Sequence, residues 1–88
     1  MIRVLFFGRL SEIAIQELGN CEIDFIPEKK GQLTLYELRQ AITKNSITLA
    51  KELDKEGYLY AINQTICHSN QMINEGDEVA FMSPLSGG

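Results

Sequence analysis

The chain has 88 residues, 44% hydrophobic and 23% charged, enough for one small globular domain but not for a deep substrate cleft beside its core. Eight basic against twelve acidic side chains give a net charge of −4, without the basic stripe of a nucleic-acid binder; such a balance suits basic partner surfaces and solubility alike. No apolar run nears the roughly 20 residues that span a bilayer, and the opening segment is too short for a secretory signal, so a cytoplasmic location is expected.

Residues 2–7, Ile-Arg-Val-Leu-Phe-Phe, predict a strand of β-branched and aromatic side chains. Val4 and Phe6 fall on one face, Leu5 and Phe7 on the other, so both faces expect cover, one of them from a partner. Residues 9–18 switch to helical spacing, with Leu10, Ile13, Ala14 and Leu18 on one stripe and Gly19 placed to end it. Cys21 to Phe25 then alternate as a half-exposed strand that Pro27 stops. This opening reads as β–α–β or as a hairpin interrupted by a short helix.

Thr34-Leu35-Tyr36-Glu37 is a capping box, with Leu33 and Leu38 as its flanking hydrophobic staple. The helix it starts carries Leu35, Leu38 and Ile42 inward and is expected to close at Asn45. A second short helix is expected over 48–56, with Leu49, Ala50 and Leu53 inward and Gly57 as its stop. Strands follow at 58–62 and 65–67 across the polar turn Asn63-Gln64. A last strand over 78–82 comes after the turn residues 74–77. The order predicts an α+β fold, a mixed five-strand sheet packed on one main helix with additional short helices. Helices cover one sheet face and leave the other for a partner; Phe7 is placed there, with some of Tyr58, Tyr60 and Met82 as further candidates, the core being the favoured reading for the two tyrosines.

The chain is divided into a domain over 1–82 and a flexible tail over 83–88, Ser-Pro-Leu-Ser-Gly-Gly. Two terminal glycines are a weak motif alone, but here they follow a predicted strand directly. Lacking a Cβ, glycine enters narrow channels and takes backbone angles closed to other residues. Five extended residues, Pro84 to Gly88, reach roughly 17 Å, enough to deliver a carboxylate into another protein's buried site. A free carboxylate is inert toward sulfide; an acyl-adenylate made with ATP is not. Pro84 restricts the base of the tail.

Read together, Ala61-Ile62-Asn63-Gln64-Thr65, Ile73-Asn74-Glu75-Gly76-Asp77-Glu78-Val79-Ala80-Phe81 and Pro84-Leu85-Ser86-Gly87-Gly88 resemble the molybdopterin synthase small (sulfur-carrier) subunit family, ubiquitin-like β-grasp proteins. The opening Ile2 to Gly8 matches that family's first strand, while residues 20–57 resemble it mainly in pattern. The resemblance implies a β-grasp fold and a sulfur carrier in molybdenum cofactor biosynthesis. It implies that a ubiquitin-activating-like adenylyltransferase adenylates Gly88 with ATP and that the product becomes a thiocarboxylate. It further implies that the tail (Pro84, Leu85, Ser86, Gly87) and Phe7 bind partners, that sulfur goes to cyclic pyranopterin monophosphate in the large synthase subunit, and that the two subunits form a heterotetramer. The carrier then acts as the sulfur-donor subunit of an enzyme, with no catalytic side chain, cofactor or metal of its own. The family often has two prolines before the tail; Ser83-Pro84 stands here instead, which predicts a slightly looser base.

Other candidate groups read as structural. Cys67-His68 suggests a nucleophile and base, yet adjacent strand residues point to opposite faces. Cys21 alternates with Ile23 and Phe25 as a core residue, and two cysteines are too few for a four-thiolate site or cluster. Asp77-Glu78 suits either turn chemistry or docking on a basic surface, while Lys51 and Lys55 suit a solvated face. Alternative functions of the same tail are sulfur carriage for thiamine or tRNA thiolation, and a ubiquitin-like protein modifier; a plain interaction domain is a third.

Overall fold

The computed structural model describes residues 1–28, 31, 33–55 and 57–83. Strand β1 (Ile2–Phe7) leads through Gly8 into helix α1 (Arg9–Leu18), and strand β2 (Glu22–Phe25) returns antiparallel to β1. The opening is therefore a hairpin interrupted by a helix. Leu10 and Ala14 are buried, and Ile13 and Leu18 pack beside the core. Gly19 ends the helix at φ 91°, its N–H donating to the Ile15 carbonyl.

The capping box forms as expected. Glu37 N–H donates to Thr34 Oγ1 at 3.1 Å, and Thr34 N–H donates to Glu37 Oε1 at 3.0 Å. The helix it starts, α2 (Leu35–Thr43), buries Leu35, Leu38 and Ile42 and ends at Lys44 rather than Asn45. Helix α3 (Ile47–Leu53) begins earlier than its apolar spacing suggests, because Ser46 caps it, accepting from Leu49 N–H at 3.1 Å.

Two short strands were not visible in the sequence. Strand β3 (Leu33–Thr34) pairs antiparallel with β6 (Met72–Ile73) in a separate two-stranded sheet. Two residues carry no alternation to read, so only the tertiary fold reveals them. Strands β4 (Leu59–Ile62) and β5 (Thr65–Cys67) form a hairpin, and β7 (Glu78–Met82) completes the main sheet. Its order is β2-β1-β7-β4-β5, with β7 parallel to β1 and antiparallel to β4. The mixed five-strand sheet expected from the sequence is present.

The core lies on one face of that sheet. Phe81 is fully buried at its centre, stacked on Phe6 with centroids 5.4 Å apart and edge-on to Tyr60 at 5.3 Å. Each such pair adds about 0.5–1.5 kcal/mol beyond the area it buries. Val4, Val79, Leu10, Leu38, Leu49 and Leu53 fill the space between sheet and helices. Tyr58 and Tyr60 pack against this cluster, so both belong to the core side, not to the opposite face where they were candidates.

Candidate functional site

The pairing register places every second residue of β1, β7, β4 and β5 on the face away from the helices. Glu22, Leu5, Ala80, Ala61 and Ile66 form one cross-strand row, and Phe7, Met82 and Leu59 form the next. Ala61 and Ala80 are nearly covered at 5% and 9% exposure, yet neither belongs to the core cluster. They form a low floor between larger apolar side chains. Phe7 at 49% and Ile66 at 42% exposure stand beside it. Exposed aromatic and aliphatic groups around a small-residue floor make a surface that can receive a partner's side chain.

Toward the other end of the same face the character changes. Asp24, Arg3 and Glu78 form a charged row, and Arg3 Nη2 contacts Glu22 Oε1 at 2.7 Å. The face is thus apolar where β1 and β7 finish and charged where they begin. Asp77 serves the turn: its carboxylate accepts from Asn63 Nδ2 at 3.0 Å and from Asn74 N–H at 2.8 Å. Of the two open readings, turn chemistry therefore accounts for Asp77.

The tail roots at the apolar end. Phe7 lies opposite Met82 in the last pair of the β1–β7 ladder. One step further, Gly8 faces Ser83, and a Cβ on Gly8 would lie 3.1 Å from the Ser83 Cβ. Gly8 also has φ 67° and ψ −142°, a region nearly reserved for glycine. Ser83 Oγ accepts from Leu10 N–H at 3.0 Å and donates to the Phe7 carbonyl at 3.3 Å, and Ser83 N–H points to that carbonyl at 3.4 Å. Where the sequence predicted a looser base, a hydroxyl ties Ser83 to both β1 and α1.

The candidate residues Pro84, Leu85, Ser86, Gly87 and Gly88 lie outside the described residues. Phe7 is placed on the partner-free face, as its alternation predicted. The thiols stay structural. Cys67 is buried with its Sγ 3.5 Å from the Tyr60 carbonyl, and desolvation pushes its pKa up, away from a reactive thiolate. Cys21 is half-buried. Among the described residues no group of three or more His, Cys, Asp or Glu is arranged to hold a metal, and no helix is long and apolar enough to cross a membrane.

Leu5 was placed on the Phe7 face from the sequence, but Leu59, Ile66 and the alanine floor were not singled out. Alternation alone shows which residues share a face of one strand, but the neighbours across strands depend on register. Ser83 was read only as a missing proline, because its bond to α1 joins residues 73 apart in the chain and leaves no local pattern.

A model of the ThiS family matches residues 4–88. The chain is 34% identical over 88 residues to the molybdopterin synthase sulfur carrier subunit of Escherichia coli (strain K12), covering all of both chains. It is 32% identical, again across the whole of both, to the molybdopterin synthase sulfur carrier subunit of Haemophilus influenzae. The crystal structure of SAMP1 from Haloferax volcanii superposes with a TM-score of 0.78 at 20% identity, covering 99% of this chain and 98% of that one. That likeness shows the ubiquitin-like β-grasp fold.

Proposed function

Because this chain belongs to the ThiS family, we propose that it is the sulfur carrier of molybdopterin synthase, with the Gly88 carboxylate as its reactive group. The observation that carries this reading is the end-to-end match to two sulfur carrier subunits, with the terminal glycines inside the matched region. The apolar face beside Ser83 supports it by offering a docking surface where the tail begins. The buried, poorly ionising Cys67 supports it too, since that thiol is a weak rival as sulfur carrier.

The chemistry follows from what a carboxylate lacks. An oxygen of Gly88 attacks the α-phosphorus of ATP on an adenylyltransferase resembling ubiquitin-activating enzymes, and pyrophosphate leaves. Sulfide then adds to the acyl carbon, AMP leaves, and loss of the proton gives a thiocarboxylate. The tail delivers it to the large synthase subunit, where two carriers in turn supply the two sulfurs added to cyclic pyranopterin monophosphate. This chain binds, presents and donates; the surrounding catalytic side chains belong to its partners, in a heterotetramer.

Intact mass spectrometry after incubation with the activating enzyme, ATP and a sulfur source should show a species heavier by the sulfur-for-oxygen difference. Deleting Gly88 should abolish that species and synthase activity while the circular dichroism spectrum stays unchanged. A carrier that remains an unmodified carboxylate, or a deletion variant that still supports synthesis, overturns the reading. Lysine-linked conjugates in cell extracts would instead identify a protein modifier.

A further inference from the structure

We propose that Ser83 is a positioning residue for the C-terminal tail, its hydroxyl clipping the tail's root to the residue whose side chain docks on the partner. The inference rests on the carrier reading above and concerns how Gly88 reaches a partner's active site.

The ladder between β1 and β7 ends at the Phe7–Met82 pair, because the chain turns at Gly8 into α1. Ser83 therefore keeps only one long backbone bond to β1, its N–H donating to the Phe7 carbonyl at 3.4 Å. Its side chain reinforces that connection: Oγ donates to the Phe7 carbonyl at 3.3 Å and accepts from Leu10 N–H at 3.0 Å. Helix α1 needs this acceptor, since its own N-cap is Gly8 and makes no side-chain cap bond. Gly8 approaches the hydroxyl closely, since a Cβ there would lie 3.2 Å from Ser83 Oγ.

Phe7 links this clip to docking. Its side chain stands out from the apolar face, while its carbonyl accepts from Ser83. A partner that engages Phe7 therefore meets the tail's root at a fixed offset. Without the clip, Ser83 regains its own backbone freedom, and that freedom must be given up again each time the tail is threaded. Ordering one residue corresponds to about five- to thirtyfold in an equilibrium. Threading after docking is intramolecular, so the loss belongs in kcat rather than KM.

The test uses the full chain with its activating enzyme, measuring ATP–pyrophosphate exchange against carrier concentration for wild type, Ser83→Ala and Ser83→Thr. Hydrogen exchange at the Leu10 amide and thermal midpoints are followed in parallel, with assays run below each midpoint. The expected result for Ser83→Ala is a kcat lower by roughly five- to thirtyfold at a KM within about twofold, together with faster Leu10 exchange. Ser83→Thr keeps the hydroxyl and should restore both. Unchanged kcat in Ser83→Ala, a loss confined to KM, unchanged Leu10 exchange, or a threonine variant as slow as alanine overturns the proposal. No exchange activity in wild type instead removes the carrier reading beneath it, while the Leu10 measurement still reports on the clip.

Discussion

Among the described residues Glu52 is the one buried charged side chain, at 8% exposure, and it is held by its neighbours. Tyr58 Oη donates to one carboxylate oxygen and Lys55 Nζ lies 3.1 Å from the other. The tyrosine hydrogen bond leads the effects that lower the Glu52 pKa below the ordinary carboxylate range, and burial opposes it. Burial, with the bond to Glu52 second, pushes the Tyr58 pKa up to about 12. The lowered carboxylate contributes stability that is present above its unfolded pKa and lost as pH falls through its folded value. The raised phenol contributes stability that is present below about 10 and lost as pH rises from there to about 12. Tyr58→Phe should therefore cost about 1.5–3 kcal/mol near neutrality, the range for a hydrogen bond to a charged group. Urea unfolding across pH should show the gap to wild type narrowing at both extremes, and a gap independent of pH would contradict this account.

Among the elements, the β4–β5 hairpin carries visible strain. Its two-residue turn places Asn63 at φ 51° and Gln64 at φ 70°, the pair of positive values a type I′ turn requires. Asn63 is compensated: it donates to Asp77, and its Oδ1 accepts from Glu78 N–H at 3.0 Å. Gln64 is exposed, so glycine there loses no packing. Relief of about 1–2 kcal/mol of left-handed strain, less glycine's greater unfolded-state entropy, predicts that Gln64→Gly stabilises by about 0.5–1 kcal/mol. A thermal melt should rise by a few degrees, on the scale of about 4–8 °C per kcal/mol for a domain this size; a fall would show that the glutamine makes a contact worth more than the strain.

The same elements show what a sequence can and cannot reveal. The Thr34–Glu37 box was legible because all its partners lie within four residues. Strand β1 was legible from its run of β-branched and aromatic residues, and β7 from the apolar run that follows the turn residues 74–77. The β3–β6 pair was not, being two residues a side and joined across a long sequence interval. Ser46 as the cap of α3 was hidden by an apolar spacing that starts later. At the candidate site, the chemistry of Gly87-Gly88 was readable from residue type and position. The floor of Ala61 and Ala80 and the Ser83 clip were not, because each exists only through pairings between distant strands.

For the molecule as a whole, the outer face divides into an apolar end beside Ser83 and a charged end where β1 and β7 begin, which gives a docking partner an orientation as well as an affinity. Phe7 is half exposed and outside the core, so replacing it tests the surface without disturbing the fold. Phe7→Asp should weaken binding to the large synthase subunit by tenfold or more, on the scale of a hot-spot aromatic worth about 2 kcal/mol, with an unchanged thermal midpoint. Calorimetry showing equal affinity would place the interface elsewhere.

The last strand the chain enters, β7, sits in the middle of the sheet, between the β2-β1 pair on one side and the β4-β5 pair on the other. A chain cut or terminated before Glu78 keeps both hairpins but loses the strand that joins them, along with Phe81 at the centre of the core. A carrier shortened into β7 therefore loses its docking face together with its reactive end, whereas one that loses only the terminal glycines keeps the face and can still occupy a partner.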